Sequence, residues 1–101
     1  MAKIIAKNVE FDPSDSPDVT GYKLYYEFGG IEVSYDSSFQ DVGLQTTDIG
    51  LITVVGNQEG ALTIGVASYD AAGNESDIFI IATDYPLDMS APNAPSGGRI
   101  Y

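Results

Sequence analysis

Short segments of alternating apolar and polar residues, separated by turns, run through most of this chain. Residues 21–28 are a clear example, because Tyr22, Leu24 and Tyr26 fall on one face when side chains alternate along a strand. The separating residues are mainly Gly, Asn, Asp and Pro, which favour turns. No segment carries a sustained helical period. About seven short strands at this spacing predict an all-β fold, an immunoglobulin-like β-sandwich.

The other strand-like segments differ in the strength of their pattern. Residues 61–69 are the best candidate for a central strand. Ahead of the first proline, Ile5, Val9 and Phe11 share one face. The remaining segments predicted as strands are 4–11, 31–35, 39–42, 45–49 and 77–83, while 51–55 is apolar and ends at Gly56-Asn57.

The composition changes after residue 84. Three of the chain's five prolines follow, together with Gly97 and Gly98. Proline lacks the N–H that a sheet ladder needs, so a regular central strand is disfavoured there. Asp88 and Arg99 cancel, so this stretch is neutral and the body carries the net charge. We therefore predict a sandwich at 1–84 and an extended Pro/Gly-rich C-terminal arm at 85–101.

Charge and missing residue types restrict the chemistry. Fifteen acids against four bases give a formal net charge of −11, and such a surface repels phosphate backbones and anionic lipid. We therefore predict no nucleic-acid partner and no membrane partner. The chain has no Cys and no His, so it lacks thiolate metal ligands, disulfides and the usual general base at neutral pH. These absences predict a protein that is not an enzyme and has no cofactor.

Nothing in the sequence predicts export or membrane insertion. No apolar run approaches the roughly 18 residues that a spanning helix needs. The apolar stretch at 1–7 is too short for a signal peptide and is interrupted by Lys3 and Lys7. The expectation is a protein made in the cytoplasm without a signal peptide.

Two stretches resemble the fibronectin type III family. The first is Phe11-Asp12-Pro13-Ser14, followed by Pro17-Asp18-Val19-Thr20-Gly21-Tyr22, where the family has Trp-Asp-Pro-Ser and then Pro-Asp-Val-x-Gly-Tyr. The second is Val66-Ala67-Ser68-Tyr69-Asp70-Ala71-Ala72-Gly73-Asn74-Glu75-Ser76, similar to the end of the sixth strand and the next loop in bacterial and phage members. The resemblance covers about residues 3–83. It implies a fibronectin type III sandwich with strands B to G in 1–84 and Phe11 in place of the core tryptophan.

The chain departs from the family pattern in three places. The family's corner tyrosine falls at about Leu62, which cannot make that residue's hydrogen bond, and no Arg-Gly-Asp occurs. The family's strand A, with its Pro-rich start, has no counterpart before residue 4. A similar phrase instead occupies the other end, as Ala91-Pro92-Asn93-Ala94-Pro95-Ser96-Gly97-Gly98-Arg99-Ile100-Tyr101.

A missing strand A leaves strand B at a sheet edge, whose free N–H and C=O groups invite another strand. The arm could fill that place in its own chain, donate itself to a neighbouring molecule or stay unengaged. The residues that we predict to bind a partner are Pro92, Ala94, Pro95, Arg99, Ile100 and Tyr101.

Two further sets of side chains are weaker candidates for sites. In a fibronectin-like sandwich two acidic loops share a pole and offer oxygen ligands for calcium, although their spacing fits no calcium-loop motif. Their residues are Asp12, Asp15, Asp18, Asp70, Asn74, Glu75 and Asp77. Surface tyrosines could stack on sugars, although strand aromatics commonly serve packing alone. With Tyr22 and Tyr26 assigned to the core, the candidates are Tyr25, Tyr35, Tyr69, Tyr85 and Tyr101.

These observations predict a non-enzymatic structural or assembly protein. The resemblance to phage members implies a virion component, such as a capsid decoration or tail protein, whose partners are neighbouring copies or other virion proteins. It would then be an oligomer or part of a larger assembly, located in the virion. The alternative is a protein- or carbohydrate-binding accessory module of a larger bacterial extracellular protein.

Overall fold

The strands of this chain form two antiparallel sheets that pack as a sandwich. The computed structural model describes residues 2–101. The strands are β1 (Asn8–Val9), β2 (Val19–Phe28), β3 (Ser38–Gly43), β4 (Ile49–Gly50), β5 (Gly60–Asp70) and β6 (Phe79–Leu87). The larger sheet has the order β3-β2-β5-β6, and the smaller sheet pairs β1 with β4. The predicted all-β sandwich is confirmed at this level.

The core lies between the two sheets. β2 and β5 run side by side over most of their length, with Leu24 opposite Val66 and Tyr26 opposite Ile64. Their inward side chains bury against the small sheet and the segment after it, because alternation sends every second residue inward. The buried apolar residues of this cluster are Val9, Tyr22, Leu24, Ile49, Leu51, Val54, Val55, Leu62, Ile64, Val66 and Leu87.

Phe11 packs at the margin of the core. Its ring packs edge-on against Tyr22 with 5.0 Å between centroids, and it contacts the core cluster. The hydroxyl of Tyr22 accepts a hydrogen bond from the backbone N–H of Ser14 at 2.9 Å. That bond attaches the loop before β2 to Tyr22, one of the inward-facing residues of β2.

The structure corrects the predicted strand at 31–35. These residues form no strand, and the side chain of Ile31 is 56% exposed. The backbone N–H of Ser37 donates to the carbonyl of Ser34, and the Ser37 hydroxyl accepts from the N–H of Ser34, so residues 34–37 form a local turn. The next strand, β3, begins only at Ser38 and pairs with β2.

The apolar segment at 51–55 is a short helix, α1 (Leu51–Val55), which contributes three buried residues spaced as one helical face. It ends at Gly56, whose φ of 68° suits glycine and whose N–H donates to the carbonyl of Ile52. In the part of the chain that the structure describes, no helix has the length and apolarity needed to cross a membrane.

The first predicted strand is much shorter than the pattern at 4–11 indicates. Only Asn8 and Val9 pair, with Gly50 and Ile49. Val9 is buried and Phe11 half-buried as predicted, but Ile5 is 62% exposed. The last strand is longer, since β6 continues to Leu87 and pairs Pro86 with Ala61.

Candidate partner-binding site

The outer edge of β1 carries backbone groups that have no strand beside them within residues 2–101. Leu51 donates to the carbonyl of Lys7 at 2.9 Å, and Phe11 donates to the carbonyl of Thr46 at 3.0 Å. The carbonyl of Lys7 and the N–H of Phe11 therefore point toward the β4 side. Because successive residues of a strand alternate in this respect, the N–H and C=O of Asn8 and Glu10 face away from β4. β1 is thus an open edge of the small sheet.

A groove separates this open edge from β6. It comprises two cavities of about 830 and 440 Å³, which adjoin each other at Glu10 and Ile81, the residues that line both. The smaller cavity is mainly apolar, with Val9, Leu51, Leu62, Ile64, Ile81, Ala82 and Tyr85 in its wall. The larger cavity adds Phe11, Val66, Phe79 and Ile80, with Asp12 and Asp77 at that end. Leu62, Ile64 and Val66 of β5 lie at the bottom of the groove, and each is less than 10% exposed.

The residues predicted to bind a partner lie away from this groove, in the arm. All six are exposed, and the exposed fractions of Ile100 and Tyr101 are 100% and 99%. The Nε of Arg99 donates to the hydroxyl of Tyr101 at 2.7 Å, and its guanidinium lies 5.0 Å from that ring's centroid. The structure thus places the six together on one extended segment.

The start of the arm is attached to the body of the sandwich. Leu87 is buried, and Met89 packs against the core cluster while its N–H donates to Glu59 Oε1 at 2.7 Å. Ser90 donates from both its N–H and its hydroxyl to Asp88 Oδ1. These hydrogen bonds to the Asp88 carboxylate lower its pKa. The chain is therefore held as far as Ser90.

The prediction that Tyr25 is a surface ring is wrong. Tyr25 is 1% exposed, beneath Tyr35 and Phe39 at centroid distances of 6.0 and 5.5 Å. Its hydroxyl donates to Glu75, which also forms a salt bridge with Lys23 at 3.2 Å. Burial, and then the Glu75 hydrogen bond, raise the pKa of Tyr25 far above its usual range. This residue supports the outer face of the larger sheet and offers no stacking surface.

In one of the two acidic loops, the carboxylates of Asp70 and Glu75 make internal contacts. Asp70 accepts hydrogen bonds from the backbone N–H groups of Ala72 and Asn74, and these bonds lower its pKa. Asp12 and Asp77 meet at the larger cavity, as expected for loops at one pole. Among residues 2–101, no group of three or more acidic side chains is arranged to hold a metal ion.

Fold and groove together define a class, an all-β sandwich with a groove beside the open edge of β1 and an exposed C-terminal segment at 91–101. Comparison with protein-family models, with curated proteins and with solved structures finds no match to this chain.

Proposed function

We propose that this chain is a non-enzymatic structural or assembly protein that contacts neighbouring molecules through its arm. The observation that carries the proposal is the contrast between the arm and the body. Ile100 and Tyr101 are almost fully exposed at the end of residues 91–101, which make no hydrogen bond to the sandwich within residues 2–101. Two neighbouring apolar side chains held in water can bury their surface against another protein.

The end of the arm, residues 91–101, carries no negative side chain and can therefore approach the acidic body of another copy. Residues 91–101 contain Arg99 and no acid, so of the total charge of −11 the body at 1–90 carries −12. Two bodies repel each other, whereas an arm with one positive charge is attracted to a body. Contacts between copies are thus favoured at the arm.

We propose further that the sandwich is of the fibronectin type III type and that the protein is a phage virion component, a capsid decoration or tail protein. The support is the resemblance at 11–26 and 66–76, together with Phe11 packed on Tyr22 where the family places its core tryptophan. A small sandwich with an adhesive arm suits attachment to a repeating particle surface.

Removal of the arm tests the assembly function. The shortened chain should end at Ser90, because Leu87 and Met89 contact the core. We expect the full chain to self-associate with rising concentration in sedimentation experiments, and 1–90 to remain monomeric with an unchanged melting temperature. Equal association of the two chains would contradict the role of the arm.

The virion proposal has its own test. Mass spectrometry of purified particles of the phage that encodes this chain should detect it at a fixed copy number relative to the major capsid or tail proteins. Its absence from particles would refute the virion assignment and leave the arm experiment intact.

A further inference from the structure

We propose that the groove beside β1 binds the C-terminal arm of a second copy of this chain, as an added strand antiparallel to β1. The inference rests on the proposed assembly function and names its partner and its site. It assigns the wall of the groove, at residues 6–14 and 77–85, as the receptor for the predicted partner-binding residues.

The backbone of β1 supplies the first argument. The N–H and C=O groups of Asn8 and Glu10 face the groove, since Lys7 and Phe11 direct theirs toward the β4 side. An incoming strand would pair with these groups, and main-chain hydrogen bonds of this kind give strand addition its affinity. It would also cover the edge of a small sheet whose strands are only two residues long.

The side chains of the groove match those of the arm. An antiparallel strand would enter at Asp12 and Asp77 and finish in the smaller, apolar cavity. That direction brings the last apolar residues, Ile100 and Tyr101, to the apolar cavity. Arg99 precedes them and would come close to Glu10, which lines both cavities.

The direction of the arm favours a second copy over the same molecule. Leu87 pairs with Gly60 at the pole where β1 begins, so the arm leaves at that pole. An antiparallel strand must enter from the opposite pole, some 33 Å away by the length of a ten-residue strand. Residues 88–101 reach at most about 46–50 Å. Crossing the body and turning back would consume most of that length.

A molecule stacked end to end receives the arm without this detour. The protein measures 70 Å along its longest axis, about twice the length of β2, because the arm extends away from the sandwich. The arm therefore already points toward a neighbour whose opposite pole faces it. A head-to-tail contact of this kind is heterologous and builds chains or rings.

Disulfide trapping tests the groove directly, because the chain has no cysteine of its own. Ala82→Cys places a thiol in the apolar cavity, and Ile100→Cys places one in the arm. The two full-length variants, one labelled with nitrogen-15, are mixed and mildly oxidised, and mass spectrometry identifies mixed dimers. We expect a disulfide that joins the thiol introduced at position 82 of one copy to the thiol introduced at position 100 of the other.

Ser38→Cys provides the matched control. Ser38 is exposed on β3, at the opposite edge of the larger sheet. When mixed with Ile100→Cys it should give at most background cross-linking. If Ser38→Cys cross-links to Ile100→Cys as well as Ala82→Cys does, or if a disulfide forms only within single molecules of the double variant Ala82→Cys, Ile100→Cys, the proposed contact between copies is overturned.

Substitution of Asn8 tests the backbone pairing. Asn8→Pro removes an N–H that faces the groove and does not serve β4, so the sandwich keeps its own hydrogen bonds. We expect self-association roughly tenfold weaker or more than in Asn8→Ala, with equal circular dichroism spectra. If deletion of 91–101 abolishes association while Asn8→Pro leaves it unchanged, the arm binds elsewhere, and the assembly function survives without the groove.

Discussion

The fate of Tyr25 shows how one side chain departs from its strand pattern. Period-two alternation puts Tyr25 on the face opposite Leu24, which the sequence predicts to meet solvent. In the structure that face is covered by Tyr35 and Phe39, and by Lys23, whose Nζ lies 4.8 Å from the Phe39 centroid. Phe39 stands opposite Tyr25 because β3 pairs with β2, and Tyr35 lies in the segment just before β3. Their meeting depends on sheet order, which alternation alone does not contain.

The hydrogen bond from Tyr25 to Glu75 leads to a prediction about stability. Tyr25→Phe removes a bond to a charged acceptor and should lower the free energy of unfolding by about 1–2 kcal/mol. Glu75→Ala should cost more, because it leaves a buried hydroxyl without its partner and Lys23 without its salt bridge. Urea unfolding of the two variants measures the difference. Tyr85→Phe is the control, because Tyr85 is exposed and its hydroxyl makes no hydrogen bond within residues 2–101, and it should change stability by less than about 0.5 kcal/mol.

The same bond gives a dependence on pH. The pKa of Tyr25 is raised in the folded chain above the ordinary 10.0. Stability from the protonated hydroxyl is therefore complete below pH 10.0 and declines as pH rises above it, since the unfolded chain loses the proton first. The stability advantage of the unmodified protein over Tyr25→Phe should shrink in that alkaline range. A constant difference between pH 7 and 11 would contradict this assignment.

At the scale of elements, the four strands of the larger sheet were predicted, at 21–28, 39–42, 61–69 and 77–83, and the larger errors lie outside that sheet. β2 and β5 contain ten and eleven residues of sustained pattern, and each has neighbours on both sides to satisfy its backbone. Residues 31–35 have an equally good alternation but no strand beside them, so a serine-capped turn forms instead. Alternation shows that a segment can form a strand, and a partner determines whether it does.

α1 was missed for a different reason. Its three buried residues, Leu51, Val54 and Val55, follow helical spacing, but five residues are too few to reveal a period. β-branched residues dominate the segment and favour strands. Tertiary burial stabilises this turn of helix, which local sequence does not reveal.

The tight contact between β5 and β6 leads to a prediction about Gly65. A Cβ built on Gly65 would lie 2.5 Å from Ile78 Cγ2 and 3.1 Å from the carbonyl oxygen of Phe79. The backbone of β6 cannot move aside as a side chain can, so Gly65→Ala should lower the free energy of unfolding by about 1–3 kcal/mol. Thermal melting measures this loss.

Gly98→Ala is the matched control for that substitution. Nothing lies within 4 Å of a Cβ at Gly98, which is in the exposed arm. Its melting temperature should equal that of the unmodified protein. If Gly65→Ala also melts at the unmodified temperature, the close approach of β5 and β6 is not present in solution.

At the scale of the whole molecule, half of the candidate site could be predicted. The arm is continuous in sequence, and its prolines and glycines distinguish it from the strands before it. The apolar cavity of the groove is assembled from four separate segments, around Val9, Leu51, Ile64 and Ile81, which meet only after the sheets have packed. Family resemblance indicated an open edge, but only the packed sheets identify the wall residues that line it.

The distribution of charge over the molecule leads to the last prediction, on ionic strength. With −12 on the body of each copy, association brings like charges together, and salt screens that repulsion. The screening length falls from about 30 Å at 0.01 M salt to about 3 Å at 1 M, so head-to-tail association should strengthen over this range. Sedimentation at fixed protein concentration measures the change, and the chain ending at Ser90 should stay monomeric throughout. Association that weakens with salt would mean that attraction between Arg99 and the groove acids outweighs the repulsion of the bodies.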